Sequence, residues 1–191
     1  MTPKKWALIS KKDISPSKWF PIEERTYELP NGKVVNDFSV TTLADVAMVI
    51  PITNEGKIVM VNQFKPGFDD VILEFPAGRI ESSHNNLIET AKHELEEETG
   101  IVTSDFEYFA TFAGFVTKAT EKVSCFLAKN VNINSVQKLD DNDDIEVVLL
   151  NPEEVDKLIF KNIIQAAITI SAWEVAKKKF PELFNKPPTK I

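Results

Sequence analysis

Glu94, Glu97 and Glu98 crowd three carboxylates into one short stretch. On a helix, separations of three and four residues bring side chains to the same side of adjacent turns, so these groups would face one another. Like charges so close cost a helix about a few tenths of a kcal/mol per pair, and a hard divalent cation, Mg²⁺ or Mn²⁺, offsets such repulsion through oxygen ligands. A solvated acidic face is the plain alternative. A second acidic group lies downstream in QKLDDNDDI, residues 137–145, and includes Asp141 and Asp143. Acidic loops are ordinarily just solvated, and spacing by itself does not join this one to the glutamates.

The element that must carry the glutamates is a helix. Leu87, Ile88, Ala91 and Leu95 form its apolar stripe, which seats it on a core and leaves the carboxylate side toward a cleft. Gly100 is placed to end it as a left-handed cap. β-branched runs at 46–53 and 57–64, joined by Asn54-Glu55-Gly56, read as a core hairpin. Further strands are expected at 5–10, 71–75, 106–112, 122–129 and 146–150, and helices at 152–160 and 162–180. The last helix should bury Ile164, Ala167, Ile168, Ala172 and Val175. Upstream, residues 19–29 and 33–42 flank Leu29-Pro30-Asn31-Gly32, a turn by its chemistry, and pair as another hairpin. Strands first, one central helix, more strands and closing helices make an α+β sandwich.

Composition narrows the function. The chain has 191 residues, 43% of them hydrophobic, and no apolar run near the length of a membrane span, which predicts one soluble domain with an appended arm. A net charge of -7 without a basic cluster speaks against nucleic acid, whose phosphates need grouped Lys and Arg. An acidic protein that binds phosphates would need a metal between them. Cys125 is the single cysteine; it lies in an apolar run as a small buried thiol, and a cytoplasmic, reducing setting follows as the expectation.

Glu74-Phe75-Pro76-Ala77-Gly78, followed by His93-Glu94-Leu95-Glu96-Glu97-Glu98-Thr99-Gly100-Ile101, resembles the Nudix hydrolase motif GX5EX7REUXEEXGU, where U is aliphatic. The E-x-P-A-G lead-in is similar to that of the ADP-ribose pyrophosphatase branch. Two motif positions differ. His93 stands where the motif has Arg, and the first motif Glu falls in Ser-Ser-His-Asn, where His84 lies and one residue is inserted before Leu87.

The resemblance implies a Nudix α/β/α sandwich over residues 44–180, an N-terminal β arm over 1–43 that exchanges across a homodimer, and a tail at 181–191. It implies Mg²⁺ or Mn²⁺ held by Glu94, Glu97, Glu98 and the carbonyl of Ala77. Asp141 or Asp143, matching the family's mobile acidic loop, would be the catalytic base. Lys65, in Gln63-Phe64-Lys65 where the family has Gln-Tyr-Arg, would meet a substrate phosphate, and a solvated loop charge is its alternative. Glu74 of the lead-in joins the substrate-binding set. Trp19 matches a Trp that stacks on adenine, against the reading of a hairpin that packs its aromatics on itself or on a twin subunit. In the family the motif Arg orients the neighbouring metal-binding Glu; a histidine keeps such a charge only partly at neutral pH. The implied reaction is metal-dependent hydrolysis of a nucleoside diphosphate-sugar, ADP-ribose to AMP and ribose 5-phosphate, by a protein with no nucleic-acid or membrane partner. A catalytically weak or inactive nucleotide-binding module of the same fold is the alternative.

Overall fold

The structure, a computed structural model, describes residues 2–81, 83–84, 86–140 and 143–184. Asp141 and most of the 181–191 tail lie outside the described residues. The chain divides into two compact units, Met1–Asp45 with Ala113–Lys122, and Val46–Phe112 with Val123–Ile191.

The first unit is built on β1 (Ala7–Asp13), β2 (Ile22–Glu28) and β3 (Val34–Thr41), an antiparallel sheet in that order. Gly32 takes φ 82° in the β2–β3 turn, which closes with Leu29 N–H donating to Lys33 O at 2.8 Å. Trp6, Tyr27 and Phe38 meet edge to face with ring centroids 6.0 to 6.3 Å apart, so these aromatics of the arm pack on their own sheet. Trp19 does not; it is 76% exposed, with the Lys18 ammonium 4.5 Å from its ring. Residues 113–122 return to this sheet, Thr41 N–H donating to Lys118 O and Thr120 N–H to Thr41 O.

The second unit is a mixed sheet between helices. Its strands are β4 (Val46–Thr53), β5 (Ile58–Lys65), β6 (Asp70–Glu74), β7 (Ala77–Arg79), β8 (Phe106–Phe112), β9 (Val123–Val131) and β10 (Ile145–Leu150). The order is β10-β5-β4-β9-β8, with β6 on β5 and β7 on β4. Alternation along β4 sends Met48, Ile50 and Ile52 into one core and Ala47 and Val49 into another. The first core also takes Val155 from α2 (Pro152–Phe160) and Trp173 and Ala176 from α3 (Ala167–Lys179); the second takes Ala91 and Leu95 from α1 (Leu87–Thr99). A sheet covered on both faces is the α/β/α sandwich, and it explains why β4 reads as a continuous apolar run rather than an alternating one.

Several local expectations change. β4 and β5 pair as a hairpin only at their turn, Ile52 with Ile58; beyond it β4 turns to β9 in parallel and to β7, while β5 turns to β10 and β6. Residues 162–166 are not helical, since Asn162 takes φ 56° and breaks the run before α3. Ile164 is buried from that linker, whereas Ala167 is exposed, and the buried stripe of α3 is Thr169, Ala172, Trp173 and Ala176. On α1, Ile88 is 43% exposed and Thr90 is buried in its stead. Among the described residues no helix is long and apolar enough to cross a membrane.

Candidate active site

Helix α1 is aimed by its ends. Asn86 caps it, its Oδ1 accepting from the N–H groups of Ile88 and Glu89 at 3.0 Å each, and Gly100 ends it at φ 70° with its N–H on Glu96 O. A side chain at position 100 would meet Ser135 O at 2.3 Å, so glycine is required there for close approach as well as for φ. Ala91 and Leu95 pin the other face to the sheet, and the glutamates are directed at three different surroundings.

Glu98 is buried against β7, its Oε2 accepting the Ala77 N–H at 3.1 Å. Desolvation, and then the charge of Glu94, push its carboxyl up to about 8, against the opposing pull of Lys65 and the Ala77 N–H. Glu94 occupies the space a side chain on Gly78 would fill; a Cβ there would lie 2.0 Å from the carboxyl. Burial, and then Glu97, Glu81, Asp143 and Asp140, push Glu94 up to about 7. Glu97 faces the acidic loop, and one carboxylate oxygen from each of Glu97, Asp140 and Asp143 lies within 4.8 Å of the others. Desolvation raises Glu97 too, and His93, whose Nδ1 is 3.2 Å from Glu97 Oε2, opposes the rise. His93, Glu96, Glu97, Lys138 and Asp140 line a concavity of about 290 Å³.

The loop is fastened to α1 by neutral hydrogen bonds and by an ion pair of Lys138 Nζ with Glu96 Oε1. Gln137 Nε2 donates to Glu98 O at 2.7 Å and to Ile145 O at 3.0 Å, joining the C-terminal end of the helix to the start of β10. Lys138 N–H donates to Glu97 O at 2.9 Å, and Asp143 N–H to Asp140 O at 2.9 Å, a bond that holds those two residues close. Lys65 is not a solvated loop charge: its Nζ lies 2.5 Å from Glu74 Oε1 and 2.5 Å from Gln63 Oε1.

Glu94, Glu97, Asp143, His93, Ala77, Lys65 and Glu74 thus all belong to the second unit, whereas Trp19 belongs to the first. Asp140, Glu81, Gly78 and Gln63 were given no role in the site by the sequence, although Gly78 and Gln63 lie in the stretches that carry the resemblance. Asp140 begins the four-aspartate run, so the signal was present, but a chain-order match to the resembling motif passes over it. His84 accepts the Glu81 N–H at 3.4 Å on Nδ1 and shares a 3.0 Å hydrogen bond with Thr90 Oγ1, its ring 5.2 Å from that of His93. In the neighbourhood of the missing motif glutamate, the charge felt by Glu94 and Glu97 therefore comes from Glu81.

A hard cation fits this donor set. Glu94 and Glu98 are carboxylates withdrawn from water beside one another, their burial leaves them short of positive charge, and Gly78 leaves room for one of them that any side chain would fill.

Residues 42–170 match the family model of the NUDIX domain. The chain belongs to the Nudix family. It is a Nudix hydrolase of the ADP-ribose pyrophosphatase-like branch. It is 33% identical over 172 residues to the ADP-ribose pyrophosphatase of Bacillus subtilis (strain 168), covering 90% of this chain and 92% of that one. It is 34% identical over 146 residues to the methanol dehydrogenase activator of Bacillus methanolicus, 76% of this chain and 78% of the relative. To the ADP-sugar pyrophosphatase of Mus musculus it is 37% identical over 109 residues, 52% of this chain and 50% of the relative. The fold matches the crystal structure of an ADP compounds hydrolase with a TM-score of 0.82 over 95% of this chain and 97% of that one, at 17% identity.

Proposed function

We propose that this Nudix hydrolase cleaves the pyrophosphate of a nucleoside diphosphate-sugar, ADP-ribose foremost, to AMP and ribose 5-phosphate with Mg²⁺ or Mn²⁺. The observation that carries the reading is the meeting of α1 with the acidic loop, Glu97, Asp140 and Asp143 within 4.8 Å, beside half-buried Glu94 and buried Glu98. The names of relatives matched over much of the chain supply the substrate class.

Glu94, Glu97, Glu98 and the carbonyl of Ala77 would hold the cation. When bound, it neutralises diphosphate oxygens and makes water a better nucleophile. Asp143, or Asp141 two residues before it, would take the proton as the water oxygen bonds to phosphorus and the bridging P–O bond breaks. Lys65 exchanges part of its contact with Glu74 for a substrate phosphate, as a point charge rather than a bidentate clamp. The arm, residues 1–43, is the part exchanged in a homodimer, and Trp19 of the arm stacks on the base. A catalytically quiet nucleotide-binding module is the second reading, favoured by one feature: His93 pairs with Glu97 while more than half exposed, so the positive charge beside that glutamate depends on a proton.

Turnover of a nucleotide-sugar panel in Mg²⁺ and in Mn²⁺, followed by release of AMP and sugar phosphate, decides between the readings. Glu97→Gln should abolish turnover and leave the circular dichroism spectrum and melting temperature nearly unchanged, because the group lies on a polar face and not in a core. Wild-type rate in that variant overturns the metal assignment; binding without turnover in the unmodified protein gives the second reading.

A further inference from the structure

Gln63 lies opposite Ile145 in the β5–β10 ladder, so its side chain emerges two residues from Asp143. Its Nε2 donates to Asp143 Oδ1 at 3.1 Å, and its Oε1 accepts from Lys65 Nζ at 2.5 Å, the same ammonium that pairs with Glu74. A carboxylate only accepts and an ammonium only donates, so the two ends of the amide have one consistent assignment. The amide is also planar, and a movement at its oxygen end is carried to its nitrogen end. Asp143 has reason to move away, since Glu97 and Asp140 repel it and the backbone hydrogen bond to Asp140 alone does not set where its carboxylate points.

We propose that Gln63 is a positioning residue that ties Lys65 to Asp143, so that engagement of Lys65 by a substrate phosphate aligns the carboxylate that receives the proton from water. This rests on the function proposed above. The neutral donor counters the repulsion within the carboxylate cluster without placing a second cation beside the site. It also makes the strand β5, already held between β6 and β10, the rigid rail on which both the phosphate contact and the base are set.

The test is a double-mutant cycle on ADP-ribose turnover with Gln63→Met, Asp143→Asn and the pair. Gln63→Met should lower kcat by about tenfold to a hundredfold and move KM by no more than about threefold, because Lys65 keeps Glu74. In the Asp143→Asn background the same change should cost less than about twofold, since the group it positions is gone. Gln63→Glu, which keeps a partner for Lys65 but turns a repelling oxygen toward Asp143, should be at least as slow as Gln63→Met. Fully additive losses, or a Gln63→Met enzyme of wild-type kcat, overturn the proposal. Amide exchange at Asp143 reads the same tie without turnover: it should quicken in Gln63→Met, and unchanged exchange also counts against the tie. If the unmodified protein turns over no member of the panel, the function proposed above fails, while amide exchange still judges the tie between Gln63 and Asp143.

Discussion

Gly78 is the residue at which close packing and chemistry meet. A methyl group there would lie 2.0 Å from the Glu94 carboxyl, which is the far end of a flexible side chain and can swing aside. Gly78→Ala should therefore fold, losing no more than about 1 kcal/mol by thermal melting, yet lose activity by about a hundredfold, because the displaced carboxylate leaves its place beside Glu98. Wild-type kcat/KM in that variant would show that the position of Glu94 is not needed. His93 makes the complementary case. Its ion pair with Glu97 exists only when the ring is protonated, and an ordinary histidine is mostly neutral at pH 8. His93→Arg makes that charge permanent and should raise activity several-fold at pH about 8, read as kcat on the same substrate. An unchanged or lower rate would mean that charge at this position does not limit the reaction.

At the scale of elements, α1 and the acidic loop hold more negative charge than the surrounding protein neutralises, and stability should record this. Folded Glu98 and Glu94, raised to about 8 and about 7, keep protons that an unfolded glutamate near 4.5 has released. Between about pH 5 and pH 8 the unfolded chain binds fewer protons than the folded one, so the stability of the metal-free protein falls as pH rises through that window. The lowered carboxylates Asp13, Glu23 and Glu154 act below it, where stability is instead lost as pH falls. Melting in chelator should thus show a lower Tm near pH 8.5 than near pH 6, and Glu98→Gln should flatten that slope, because Glu98 is the most buried and most raised of the set. Added Mg²⁺ or Mn²⁺ should raise Tm more at the higher pH, where fewer protons have to be displaced. A slope unaffected by Glu98→Gln would mean that this carboxyl does not keep its proton in the folded chain.

For the whole molecule, the open question is assembly. Every residue of β1 is exposed, Leu8 and Ile9 among them, and β1 is an outer strand of its three-stranded sheet. Exposed outer strands invite pairing, and an arm short of chain for its own core gains by covering one. Sedimentation at micromolar concentration should therefore show a homodimer, and a monomer would end the exchange proposal. Trp19 belongs to the same test. If its exposed ring stacks on the base, about 1–3 kcal/mol of contact is shared by ground and transition states, so Trp19→Ala should raise KM by about tenfold to a hundredfold and spare kcat. The mass of that variant has to be measured alongside, because loss of the dimer would have the same kinetic effect. Unchanged affinity in a dimeric variant makes Trp19 a packing residue.

The chain itself determined what is local. The β-branched run of β4, the turn at Pro30-Asn31-Gly32, α2 from its proline onward and the Gly100 cap all follow from backbone preferences that act over a few residues, and the glutamate spacing follows from helix geometry. The family was legible too, because a motif confined to one strand, one turn and one helix survives in the order of residues. Tertiary structure decided what depends on partners distant in sequence. The parallel pairing of β4 with β9 opened the expected hairpin, and Asn162 in a left-handed conformation turned the first residues of an expected helix, 162–166, into a linker. Ile88 was pushed into solvent while Thr90 went inward, since a stripe of apolar residues defines a face only to within a residue. The assignment of Glu98 to Ala77, Glu94 to Gly78 and Glu97 to Asp140 and Asp143 also belongs to the third dimension. Three glutamates of one type, within about one turn of helix, differ in what they face, and burial, repulsion and hydrogen bonding act through those surroundings.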